Sequence, residues 1–134
     1  MDICNNGTSD TLHFGLGRPP FTAPSELMVN VPNLIRTNEW CHIAAVTGPQ
    51  GVQLYFNGGL LATDPYPGSF ASLKGDAHNY LGRSNWKDPP YRDEDFDGQI
   101  GEVRVWKLAR TAAQIHETMF QQLTGKEAGL VVEL

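Results

Sequence analysis

The sequence predicts an all-β protein, an antiparallel sandwich with one short helix near its C-terminal end. Three observations carry that expectation. Short apolar stretches alternate with polar residues at period 2, turn clusters return roughly every 10–15 residues, and one segment alone shows a helical period. The 14 Gly and 9 Pro residues supply the turns and disfavour a helical bundle. With 134 residues, the chain reads as one domain spanning 1–134, large enough to bury a core without metal or disulfides. Ten basic against fifteen acidic residues leave a net charge of −5, which argues against nucleic acid or an anionic membrane as partner.

The first strands expected are Thr11 to Leu16 and Glu26 to Val31, flanking the loop Gly17-Arg18-Pro19-Pro20. Trp40 to Val46 is an almost continuous apolar run, as in a strand covered on both faces, with Trp40 in the core and His42 a hydrogen-bonded structural residue. Gly48-Pro49-Gln50-Gly51 turns the chain, and Val52, Leu54 and Phe56 then alternate with Gln53, Tyr55 and Asn57. Asn57-Gly58 is a strong hairpin signal because both residues accept positive φ, and Leu60 to Thr63 returns. The segment is therefore a three-stranded meander.

Downstream, Asn79 to Arg83 reads as a brief strand and Gln99 to Trp106 as a longer one, with Val103 and Val105 on one face and Arg104 and Trp106 on the other. Thr111-x-x-Gln114 is a capping box opening a helix from Thr111 to Gln122. Its apolar stripe is Ala112, Ile115, Met119 and Leu123, and Gly125 is expected to cap it. Leu130 to Val132 forms a last strand. Cys4 falls in a polar, frayed N-terminal stretch and Cys41 in a strand, so two reduced thiols are expected rather than a bridge. Because His13, His42, His78 and His116 stand singly, a zinc site is not expected.

Glu39-Trp40-Cys41-His42-Ile43-Ala44-Ala45-Val46, Val52 to Gly58, Leu81-Gly82-Arg83, and Phe96-Asp97-Gly98-Gln99-Ile100-Gly101-Glu102-Val103-Arg104-Val105-Trp106 recur in a familiar order before a helix. This set resembles the laminin-G-like, concanavalin-A-like jelly roll, related to lectin and pentraxin sandwiches, from about Leu12 to Val132. Many members carry Asp where Gly101 stands, and complete members usually begin with further strands that are absent ahead of this chain's start. The resemblance implies a non-catalytic module that binds carbohydrate or protein, sometimes with calcium, at the cell surface or outside the cell. Met1 to Asn6 does not read as a signal peptide. Fold alone names no ligand.

Chemistry concentrates between Asn85 and Asp97. Trp86, flanked by Asn85 and Asp88 and followed by Tyr91, offers a ring for stacking on a sugar face with hydrogen-bonding neighbours, so these four are the candidate ligand-binding residues. Asp93, Asp95 and Asp97 followed by Gly98 resemble the first half of a calcium loop and are the candidate metal ligands, with Ca²⁺ as the ion. The second half does not follow, since Arg104 stands where a bidentate Glu belongs, so the site is no EF-hand. The bland reading of the same run is a solvated acidic turn. A third reading pairs these carboxylates as glycosidase acids, although they sit in a Pro-flanked loop rather than along a strand. A structural or assembly module without small ligand is the rival from another class. Under either reading a homodimer is expected through the edge Gly129 to Val132, whose valines cannot bury both faces alone, against a monomer in which Met1 to Asn6 or the helix from Thr111 to Gln122 caps that edge.

The calcium reading makes a direct prediction. Ca²⁺ that relieves repulsion among Asp93, Asp95 and Asp97 binds only the folded state, so millimolar Ca²⁺ raises the melting temperature of the wild type and not of Asp95→Asn. Unchanged melting curves in both proteins would remove calcium from the account.

Overall fold

The computed structural model describes residues 2–5, 9–17, 26–70, 79–84, 89 and 93–134. The chain divides into two compact units, one comprising Met1–Leu73 and Ala109–Gln122, the other Lys74–Leu108 and Leu123–Leu134. Among the described residues no helix is long and apolar enough to cross a membrane.

The first unit holds two three-stranded antiparallel sheets. One is ordered β1 (Asp2–Asn5), β2 (Leu12–Gly17), β3 (Glu26–Val31), and the other β4 (Ile43–Gly48), β5 (Gly51–Phe56), β6 (Gly59–Asp64). Strand alternation sends Leu12 and Phe14 of β2 to one face, and Val52 and Leu54 of β5 to theirs. These four side chains form the buried core, each 2% exposed or less, with Val29, Leu34, Ile43, Ala45, Phe56 and Phe70 packed around them. Phe70 meets Phe14 edge to face at 6.5 Å between ring centroids.

The predicted meander is present with its register. Gly48 pairs with Gly51 across the Pro49-Gln50 turn, and Asn57 and Gly58 take φ of 48° and 78° at the next. Asn57 also ties that turn to the chain entering β4: its N–H donates to the His42 carbonyl at 2.8 Å, and its Oδ1 accepts from the His42 N–H at 2.8 Å. Asp10 does similar work after β3, accepting from the amides of Asn33, Leu34 and Ile35 at 2.9–3.1 Å.

Helix α1 (Ala112–Thr118) opens at the expected capping box. The Thr111 hydroxyl accepts from Gln114 N–H at 3.3 Å, and the Gln114 side chain accepts from Thr111 N–H at 3.0 Å. It is shorter than its apolar stripe suggests. Ile115 is buried and Met119 half-buried, but Ala112 is exposed and Leu123 lies beyond the helix. The Gln121 amide bonds three residues back to Thr118, which tightens and ends the last turn well before Gly125. The helix seats at the β5–β6 turn, where a methyl group on Gly58 would lie only 2.9 Å from His116 Cδ2 and 3.1 Å from Met119 Sδ.

In the second unit β7 (Arg104–Trp106) pairs with β8 (Leu130–Glu133), and Val103 and Leu134 exchange two further backbone hydrogen bonds at 3.0 and 3.1 Å. Before β8, hydrogen bonds from the Thr124 N–H and hydroxyl hold the Glu127 carboxyl below its ordinary range.

Several expectations need correction. Trp40 is 68% exposed because the ladder begins only at Ile43, leaving Trp40 outside it. Asn79 to Arg83 is not a strand. The strand expected over Gln99 to Trp106 is only three residues long, and of its two faces the one carrying Arg104 and Trp106 is the less exposed. The Arg104 side chain is 9% exposed, held by Glu102 at 2.6 Å and Glu133 at 3.7 Å, while Val105 is 49% exposed. The stretch holding Cys4 is a paired strand rather than a frayed end. Neither cysteine forms a disulfide, as expected.

Gly51 gives the sharpest stability test. Its φ is +97°, and a Cβ there would run into the Asp64 backbone carbonyl. Gly51→Ala should therefore cost about 2 kcal/mol or more in urea unfolding, from backbone strain added to a backbone collision. Full wild-type stability in this variant would contradict the turn geometry.

Candidate functional site

Within the second unit, the acidic segment is anchored at its base by two hydrogen bonds. The Phe96 N–H donates to the Gly82 carbonyl at 2.9 Å, and the Ser84 hydroxyl donates to Asp93 Oδ2 at 2.7 Å. Gly82 takes φ of 70°, which lets the chain reverse there. The two bonds bring 82–84 against 93–96. Beside this base the Arg83 guanidinium stacks over the Tyr80 ring at 4.8 Å.

Of the predicted ligand-binding residues, Asn85, Trp86, Asp88 and Tyr91 all lie outside the described residues. Asp93, Asp95 and Asp97 are exposed and in irregular chain. Asp93 accepts the Ser84 hydrogen bond and so ties down the loop base. The three carboxylates do not converge: among the described residues, the one trio of acidic, thiol or imidazole groups with donor atoms within 4.8 Å lies elsewhere.

Next to the loop base an apolar cleft of about 300 Å³ is lined by Tyr80, Leu81, Val103, Val105, Val132 and Leu134, with the Asn79 amide as its polar group. An aromatic wall beside an amide, at the lower end of ligand-pocket size, suits a small ring or a side chain. In the first unit a cleft of about 470 Å³ opens on the outer face of β4 and β5, against Arg110 and Thr111. At its floor Tyr55 is buried, and its hydroxyl donates to Gln53 Oε1 at 3.1 Å. Burial pushes the half-buried Cys41 thiol up, which makes it a poor nucleophile.

The converging trio is Asp2, Cys4 and His13, on the face of the β1–β2–β3 sheet that points away from the core. Sequence reading missed it by treating the N-terminal stretch as frayed and each histidine as solitary. A signal was present, because Asp2 and Cys4 are two residues apart and share a strand face. What sequence could not supply was the register that sets Cys4 opposite His13.

Two antiparallel three-stranded sheets closing on one shared apolar core form a β-sandwich, and the family match makes it one of the jelly-roll type. The chain belongs to the concanavalin A-like lectin/glucanases superfamily, whose laminin G family model matches residues 6–116. The crystal structure of an S-layer domain-containing protein from Clostridium thermocellum (residues 221–444) is similar, with a TM-score of 0.54 and 20% identity over 80% of this chain and 50% of that one. The chain thus spans half the length of that structure, and at this identity the likeness is one of fold. No curated protein matches the chain.

Proposed function

We propose that the chain is a non-catalytic binding module that recognises carbohydrate or protein through the loop from Asn85 to Asp97. The observation that carries this reading is the pinned loop base, formed by the Gly82–Phe96 and Ser84–Asp93 hydrogen bonds. A loop whose ends are fixed presents its side chains with less entropy to lose on binding than a free segment of the same length. The residues spanned by those ends include Asn85, Trp86, Asp88 and Tyr91, the stacking and hydrogen-bonding set. Membership of a superfamily that includes lectins supports a glycan ligand. Asp93 serves the loop base, which favours a holding role over acid–base chemistry for that carboxylate.

A second reading, assembly without a small ligand, is favoured by one observation. Val131 of β8, in the edge expected to pair, is 60% exposed, an apolar side chain that a second copy would cover.

One experiment separates the readings: a glycan array probed with wild type and Trp86→Ala, with and without chelator, alongside sedimentation at micromolar concentration. Glycan binding lost in Trp86→Ala is the expected result. No binding to any glycan, together with a dimer that Val131→Lys dissociates, would replace it with assembly. Shortened glycan products would instead point to hydrolysis.

A further inference from the structure

Antiparallel register places Asp2 opposite Gly15, Cys4 opposite His13, and His13 opposite Asn30, all on the sheet face turned away from Leu12 and Phe14. His13 is the best fixed of these groups, with its side chain 13% exposed. Its Nδ1 lies 2.8 Å from Asn30 Oδ1, and an oxygen acceptor there requires Nδ1 to carry the hydrogen. That leaves Nε2 directed at the Asp2 carboxylate, 3.2 Å away, with the Cys4 sulfur 3.8 Å from the same carboxylate oxygen. An imidazole nitrogen and a carboxylate oxygen facing each other at this distance share a cation, either a proton or a metal ion.

The spacing fits a particular cation. A tetrahedral zinc bound at about 2.3 Å to sulfur and about 2.0–2.2 Å to nitrogen and oxygen holds N and O roughly 3.4 Å apart, and S and O roughly 3.6 Å apart. The observed separations, 3.2 and 3.8 Å, bracket those edges, and all three donor atoms lie within 4.8 Å of one another. Gly15 makes the room. A Cβ there would collide with the Asp2 carboxylate and stand 3.1 Å from His13 Nε2, so the strand carries no side chain where the donors meet. Asn30 supplies the outer hydrogen bond that zinc-bound histidines use to fix ring and tautomer.

We propose that Asp2, Cys4 and His13 form a zinc-binding site on the outer face of the β1–β2–β3 sheet, with Asn30 orienting the histidine. The sulfur and nitrogen donors select zinc over the hard cations Ca²⁺ and Mg²⁺, which take oxygen ligands. Asp2 and Cys4 are exposed, so the fourth position faces solvent and takes water. Binding there also stitches β1 to β2 across the sheet, since the donors come from both strands.

The test is titration of the reduced, full chain with Zn²⁺ alone by calorimetry, and with Co²⁺ by absorption spectroscopy. One ion per chain is expected, with a thiolate-to-cobalt charge-transfer band. Cys4→Ser should abolish that band, Cys41→Ser should leave it intact, and His13→Gln and Asn30→Ala should each weaken Zn²⁺ binding roughly tenfold or more. Should a variant not fold, the wild-type cobalt spectrum decides alone. A wild type that binds neither ion shows the three groups joined by protons only and overturns the site. So does a charge-transfer band that survives Cys4→Ser or disappears in Cys41→Ser.

Discussion

The first unit depends on one contact: Leu12 and Phe14 from one sheet closing against Val52 and Leu54 from the other, with water excluded. Among the described residues the other buried apolar side chains are Tyr55, on the outer face of β5, and Ile115 of α1, at 3% and 5% exposed. Burying a Leu, Val or Phe side chain contributes about 1.5–3 kcal/mol, so four such groups in one cluster outweigh any surface ion pair in the molecule. Everything else in that unit is arranged by their orientation. Once Leu12 and Phe14 point inward, His13 must point outward, and Asn30 and Cys4 follow through the register. The metal-binding face is thus a geometric consequence of the core.

The same logic governs the helix and the hairpin turns. Residues 53 and 55 of β5 face outward when 52 and 54 face in, and Tyr55 is nonetheless buried, with the chain from Ala109 to Ala112 lying against that side. Gly58 serves two needs there, positive φ for the turn and a missing Cβ where His116 and Met119 approach. Polar residues then secure the connections: the Asn57 side chain accepts from the His42 amide, and Asp10 accepts from Asn33 with its carboxylate and from Leu34 and Ile35 with its backbone carbonyl.

Strands with clean alternation and strong turns were legible in the sequence, the meander from Ile43 to Asp64 above all, because local period and turn chemistry fix them without distant help. Residues whose fate depends on where a strand begins were not. Trp40 reads as core from its apolar neighbours, yet the ladder starts three residues later and leaves it exposed. Nothing local in the sequence marks Arg104 for burial, which Glu102 and Glu133 permit by neutralising it. The acidic loop was legible as chemistry and as a turn, whereas its pinning by Ser84 and Gly82 requires tertiary contact. Asp2, Cys4 and His13 lay beyond sequence reading for a similar reason, since strand pairing rather than spacing brings the third donor.

The central claim is that the two three-stranded sheets stand or fall together through that core. Native-state hydrogen exchange on the wild type and Leu54→Ala tests it most directly. Loss of the Leu54 side chain should cost about 2–5 kcal/mol, and the account predicts that protection falls by the same free energy at β2 amides as at β5 amides, although the substitution lies in β5. Protection of β2 that is untouched by Leu54→Ala, while β5 loosens, would show two sheets opening independently and contradict the account.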